Sequence, residues 1–168
     1  MRKRLAFILL LLIVSLIPIL AATTHDDRIL KVEYTQLTKD ARKQVDCLAQ
    51  NIYYEAGHEP EKGKIAVALV TLNRVEDPRY PKDICSVVKQ RVKSTCQFSW
   101  FCESGKSIRN NEAYNEAQRI ALYVYANYEK LKDFTNGALF YHADYVNPRW
   151  KGLEKTAVIG RHIFYREK

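Results

Sequence analysis

The sequence predicts a mainly helical α+β domain. Two stretches, residues 39–56 and 110–131, repeat apolar side chains at helical spacing. A third, Ile65–Leu72, is apolar on nearly every side, as a helix at the centre of a domain is. The last forty or so residues instead gather short aromatic and β-branched runs between turn signals, which suits a small sheet.

The chain has 168 residues, enough for one domain with a proper core. Arg2, Lys3 and Arg4 precede an apolar run from Leu5 to Ile17, with small residues at Ala21 and Ala22, the pattern of a secretory leader. Residues 1–22 are therefore read as a signal peptide or an uncleaved signal anchor, 23–43 as a polar spacer, and 44–168 as the working domain. The apolar run is shorter than the roughly 20 residues of a spanning helix, so any membrane attachment is expected through this leader alone. The rest is expected to be exported to periplasm, wall or medium, and to be a monomer.

The formal charge of +8 falls to +5 when the leader's three basic residues go. That suits an anionic envelope polymer, or simply a solubilising surface. The basic residues are scattered and form no recognition motif, which argues against nucleic acid. Cys47, Cys85, Cys96 and Cys102 all follow the leader and read as two disulfides with three possible pairings. Cys96 and Cys102 could close a short loop. Their spacing is not that of a zinc site, so neither metal nor cofactor is expected.

The first helix runs from Lys39 or Asp40 to Ala56 and aligns Val45, Leu48, Ala49, Ile52 and Glu55 on one face. Gly57 is read as its stop, a C′ glycine in the left-handed conformation. Pro60 opens the next helix, in a first turn with no donor to lose, and Glu61 sits near its positive end. Residues 78–81 make a turn, and 84–92 a short amphipathic helix with Val87, Val88 and Val92 inside. Thr95–Cys102 reads as strand or extended loop. The long helix from Asn110 or Asn111 to about Leu131 has Asn110 as its cap. A turn at Thr135–Gly137 precedes strand-like residues 138–142. A second turn covers 147–150, and residues 157–165 form one strand or two joined at Gly160.

Glu55 carries the chemical reading. A carboxylate in line with an apolar stripe loses solvation, which disfavours its charged form and suits a general acid near neutral pH. Glycosidic cleavage needs such an acid and a group to meet the oxocarbenium ion. Asp83, Glu103 and Asp144 lie near aromatic segments, but nothing in their spacing ties them to Glu55. One acid suffices where the substrate supplies its own nucleophile, as muramic acid can by closing its 6-hydroxyl into a 1,6-anhydro ring. The competing reading pairs Glu55 with Arg74 as a structural ion pair.

Gln97, Phe98, Ser99 and Trp100 combine rings with amide and hydroxyl groups, which suits sugar faces and N-acetyl groups, or else plain packing. Tyr141 and His142 are candidates for hydrogen bonds to the glycan. Asn73 and His162 are read either as substrate contacts or as a helix-end cap and a core residue. Trp150 is either a lid anchor or a sugar platform.

The segments L-A-Q-N-I-Y-Y-E-A (48–56), I-A-V-A-L-V-T-L-N-R-V (65–75), I-C-S-V-V-K-Q (84–90), Q-F-S-W (97–100), G-A-L-F-Y-H (137–142) and I-G-R-H-I-F-Y (159–165) resemble, in order, the spore-cortex-lytic (SleB-type) cell wall hydrolase family. The resemblance spans about Cys47 to Arg166. It implies a lysozyme-like fold of the goose-type or lytic-transglycosylase kind, with peptidoglycan as partner. It also implies cleavage between N-acetylmuramic acid and N-acetylglucosamine, with the catalytic glutamate at Glu55. The family usually reads E-A-R-G-E where this chain has Glu55-Ala56-Gly57-His58-Glu59, so the arginine of that elbow is replaced. A hydrolytic muramidase and a non-catalytic peptidoglycan-binding module stay open. A third reading, a zinc amidase or peptidase using His58, His142, His162 and cysteines, would be sensitive to chelators.

Overall fold

A computed structural model describes residues 30–168. The leader assigned to 1–22, and the spacer up to residue 29, lie outside the described residues. Among the described residues no helix is long and apolar enough to cross a membrane.

Helix α1 (Lys39–Ala56) starts where Thr38 Oγ1 accepts the Ala41 N–H at 3.2 Å, with Asp40 in its first turn. Its buried face carries Val45, Leu48, Ala49 and Ile52, as the periodicity predicts, with Ala56 buried as well. The helix begins inside the expected spacer, and the residues before it are docked as well. Tyr34 donates its hydroxyl to Asp46 at 2.8 Å. The Asn127 amide brackets Leu30, accepting from its N–H at 2.6 Å and donating to its carbonyl at 3.1 Å.

Gly57 departs from the expected left-handed stop: its φ of −54° and ψ of −31° are right-handed. The reason for glycine is steric, because a Cβ there would lie 2.6 Å from the Tyr53 carbonyl oxygen. After that elbow, Pro60 stands at the cap of α2 (Glu61–Glu76), whose side chains from Ala66 to Leu72 are all buried.

The helix expected over 84–92 is shorter. Asp83 caps α3 (Ile84–Val88) through the Ser86 N–H at 2.9 Å, and the chain then reverses. Strands β1 (Arg91–Val92) and β2 (Thr95–Cys96) form a two-stranded ribbon around Lys93, whose φ is 58°. Val92 is consequently outside, 52% exposed. Ser99–Cys102, expected to be extended, is a helical turn, α4, that brings Cys102 back to Cys96. Helix α5 (Asn111–Asn127) is capped by Asn110, which accepts from Ala113 N at 3.0 Å, and a 3-10 turn at Tyr128–Lys130 continues it.

Strands β3 (Phe140–Ala143), β4 (Leu153–Ile159) and β5 (His162–Glu167) make an antiparallel sheet in the order β3-β5-β4. Gly160 turns β4 into β5, so the two-strand reading holds there. Residues 147–150 are irregular rather than a tight turn. The tight turn comes earlier, where Val146 N bonds to the Ala143 carbonyl at 2.8 Å.

The layers follow from α2. Ala68, Leu69 and Leu72 join α1, α3 and α5 in one core, while Ala66 and Val70 pack with Ala138, Ile159 and Phe164 under the sheet. Buried Asn51 spans this interior, donating to Thr71 Oγ1 at 3.2 Å and accepting from Trp100 Nε1 at 3.0 Å, so none of the three is left unpaired. The disulfide Cys47–Cys85 ties α1 to α3, and Cys96–Cys102 closes a six-residue separation.

Loop length sets how far each disulfide restrains the unfolded chain. Replacing Cys47 and Cys85 together by Ala, across a separation of 38 residues, should cost about 4 kcal/mol, and replacing Cys96 and Cys102 about 2 kcal/mol. Urea unfolding followed by far-UV circular dichroism checks both, and a larger loss from the short loop would contradict the loop-length account.

Candidate active site

Glu55 occupies the last turn of α1 and faces a cleft of about 840 Å³. Tyr53 and Tyr54 flank it from the same helix, His58 and Glu59 come from the elbow, and Lys106 and Arg109 from the loop before α5. The opposite wall is built from the sheet, with Ala143, Tyr145, Arg161 and His162.

The Glu55 carboxyl is half-buried and accepts one hydrogen bond, from the Tyr141 hydroxyl to Oε2 at 3.1 Å. Burial raises its pKa above the ordinary 4.5, and the bond from Tyr141 and the charge of Arg74 oppose that shift without cancelling it. Glu103 adds to the rise and Lys106 reduces it. Tyr141 is itself pushed well above the usual phenol range, by burial and by the carboxylate it faces, so it stays a donor.

Arg74 does not form the contact pair that would make Glu55 structural. Its Nε donates to the Leu139 carbonyl at 2.8 Å, and the guanidinium lies 5.1 Å over the Phe98 ring and 5.5 Å over Tyr80. The charge reaches Glu55 only through space.

Strand alternation decides which sheet residues join the cleft. Ala143 lines it and Tyr141 reaches Glu55, whereas His142 points to the other face. There its ring stacks on Tyr165 at 5.3 Å, with Nε2 at 3.0 Å from the Tyr165 hydroxyl. Trp150 packs edge-on against His142 and Tyr165 on that outer face, 44% exposed, and is neither lid nor cleft platform. His162 does line the cleft. Its ring stands edge-on to Tyr141 at 5.2 Å, and burial lowers its pKa against the opposing pull of Glu59 and Asp144.

The remaining expected contacts lie elsewhere. Phe98 and Trp100 are buried and Gln97 and Ser99 are exposed, and none of the four lines the cleft. Trp100 supports the wall from behind by stacking on Tyr54 at 4.6 Å. The Asn73 amide donates to Asp133 at 3.0 Å and to the Ala138 carbonyl at 3.1 Å, and accepts from Tyr128 at 2.9 Å, so it is fully engaged in holding the fold. The sequence reading missed Tyr53, Tyr54, Lys106, Arg109 and Arg161. The tyrosines adjoin Glu55 on its helix and could have been found there, but nothing in the 104–110 loop announces a cleft wall. Among the described residues no His, Cys, Asp and Glu side chains cluster in a way that could hold a metal ion.

Residues 58–165 match the sequence model of the Cell Wall Hydrolase family. That interval begins at His58, three residues after Glu55. The chain is 30% identical over 119 residues to a spore cortex-lytic enzyme of Bacillus subtilis (strain 168), covering 70% of this chain and 35% of that protein. It is 26% identical over 122 residues to a spore cortex-lytic enzyme of Halalkalibacterium halodurans, covering 71% and 34%. It thus spans about a third of the length of the curated relatives it matches. Its structure is similar to the catalytic domain of the Bacillus cereus SleB protein, with a TM-score of 0.59 and 26% identity over 74% of this chain and 91% of that one. The catalytic domain of the germination-specific lytic transglycosylase SleB from Bacillus anthracis matches with a TM-score of 0.57 and 25% identity, over 78% and 98%.

The raised pKa of Glu55 has a consequence for stability. The folded state holds this proton more tightly than the unfolded chain, so the favourable contribution is complete below the ordinary value of 4.5. It is lost as pH climbs to the folded value, beyond which the deficit is constant. Glu55→Gln, which cannot ionise, should therefore gain stability relative to the native chain as pH rises above 4.5. Urea unfolding at a series of pH values measures the gap, and a gap that shrinks with rising pH would contradict the raised pKa.

Proposed function

This chain belongs to the cell wall hydrolase family, and from that premise we propose that it cleaves peptidoglycan glycan strands as a lytic transglycosylase, with Glu55 as its acid. The bond is that between N-acetylmuramic acid and N-acetylglucosamine. The observation that carries the reading is the Glu55 carboxyl itself: half-buried in the cleft, hydrogen-bonded to Tyr141, with its pKa pushed up by burial.

Protonated Glu55 donates to the bridging oxygen as the glycosidic bond breaks. The carboxylate that remains then accepts the proton of the muramic 6-hydroxyl as this oxygen closes onto the anomeric carbon. One group thus serves as acid and then base, and its elevated pKa suits both steps. Tyr141 donates to the carboxylate formed in between. The other carboxylates nearby are already engaged. Glu59 accepts from Arg161 N at 2.9 Å, Asp144 pairs with the Arg161 guanidinium at 3.4 Å, and Glu103 with Lys106 at 2.9 Å. That supports a one-acid reaction. The second reading, a hydrolase, draws on one specific observation: Glu59 also lines the cleft and could activate water there.

The action is outside the cytoplasm, where the substrate is, and the two disulfides suit an oxidising compartment.

Glu55→Gln should fold and lose activity on purified sacculi by about 10²–10⁴-fold. Turnover at the native rate would remove Glu55 from its role. Mass spectrometry of the products identifies the reaction: anhydro-muramyl ends for the transglycosylase, reducing ends for the hydrolase, and no released fragments for a binding module. Tyr141→Phe removes a bond that lowers the Glu55 pKa, so the pH–rate profile should move to higher pH and kcat should fall. An unmoved profile would break the link between the two groups.

A further inference from the structure

Glu59, four residues after Glu55 and beyond the end of α1, sits in surroundings shaped to hold its carboxylate. Its Oε2 accepts the backbone N–H of Arg161, in the turn that joins β4 to β5. Gly160 makes the room, since a Cβ there would fall 1.8 Å from that same oxygen. Gly63 clears the other side, where a Cβ would stand 3.0 Å from Glu59 Cβ. The Arg161 guanidinium is held separately, by Asp144, and lies 5.5 Å over the Tyr145 ring. Residue 162 follows, and its imidazole meets Tyr141 edge-on. Through the β3–β5 ladder, where Ala143 pairs with His162 and Tyr141 with Phe164, the turn is continuous with the strand that carries the Tyr141 hydroxyl to Glu55.

We propose that Glu59 is a positioning residue, which latches the β4–β5 turn to the elbow behind α1 and thereby sets Tyr141 against Glu55, while taking no part in the chemistry. The proposal rests on the reading of Glu55 as the acid. The elbow is short, with Glu59 N bonded back to the Ala56 carbonyl at 2.9 Å, so a shift of the turn relative to Glu59 is a shift relative to Glu55. The sheet therefore meets this end of α1 at two points, one through the acid and one through the latch. Only the second can be removed without touching the reacting group or its donor.

Three variants of the full chain test this on sacculi, beside Glu55→Gln. Glu59→Ala should lower kcat about 10–100-fold, the scale of a misplaced catalytic group, with KM held within about twofold. Its pH–rate profile should move upward as in Tyr141→Phe. The other charges acting on Glu55, those of Arg74 in α2 and of Glu103 and Lys106 before α5, are untouched. Glu59→Gln keeps a carbonyl oxygen for the Arg161 N–H and should recover most of the loss. Both substitutions remove the charge that favours protonation of His162, so the difference between them reports the hydrogen bond alone. Gly160→Ala displaces the carboxylate and also strains the turn, whose φ at this position is 57°, so it should lower kcat at least as far as Glu59→Ala. If Glu59→Gln loses as much as Glu59→Ala, the charge itself is used in the reaction and the proposal fails. It fails equally if Glu59→Ala keeps the native kcat and pH profile. Should Glu59→Ala or Gly160→Ala not fold, Glu59→Gln decides alone, by native-like kcat and profile or by their loss. An active Glu55→Gln would instead strike the underlying assignment, so the two failures are separate.

Discussion

A helix with no polar face has to be covered on every side, and that constraint organises this molecule. From Ala66 to Leu72 every side chain of α2 is buried. Helices α1, α3 and α5 cover one side and the three-stranded sheet the other. The active cleft is a by-product of that wrapping. Where the C-terminal end of α1 and the edge of the sheet come together, a carboxyl from one meets a phenol from the other.

Polar groups near the end of α2 then determine where the sheet begins. Neighbouring Asn73 and Arg74 donate to the carbonyls of Ala138 and Leu139, immediately ahead of β3. Asp133 completes the arrangement. Burial pushes its pKa up, but donors from Thr135, Gly137 and Asn73 outweigh that and hold it below the usual carboxylate range. With the entry to β3 fixed at two successive carbonyls, the alternation of the strand carries Tyr141 to the cleft side and His142 to the other. Asn73 and Arg74 thus serve the site at a distance, by register, and neither needs to touch a sugar.

The helices and the place of Glu55 were legible in the sequence because their signals are local. Apolar spacing marks α1 and α5, Asn110 lies where a helix cap belongs, and Glu55 stands out as a carboxylate in an apolar line. Local signals also misled. Val92 continues the pattern of α3 but belongs to a reversing ribbon, and Gln97–Trp100 has the composition of a sugar-binding wall, yet its Trp100 packs behind Tyr54. His142 reads as a glycan contact and His162 as either contact or core residue, because the face that each presents depends on strand pairing with residues about twenty positions away. Arg161 and Lys106 carried no signal at all, since a cleft lining made from loops is defined only by what those loops lie beside. Gly57 was correctly read as a helix-ending glycine, but for the wrong reason: contact with the Tyr53 carbonyl demands it, and not a left-handed backbone.

The hydrogen bond from Tyr141 to Glu55 joins residues 86 apart in sequence, and that from Arg161 to Glu59 residues 102 apart. Contacts of such span are closed after local ones, because the intervening chain must first give up its freedom. The order of synthesis adds to this, since the strands that complete the site follow every helix in the chain. A chain still emerging therefore carries its glutamate on a helix that can already form, without the phenol that tunes it or the far wall of the cleft. The cleft is therefore completed only after the helices it is built on, and a chain interrupted ahead of β3 would keep most of its helices without the phenol that faces Glu55.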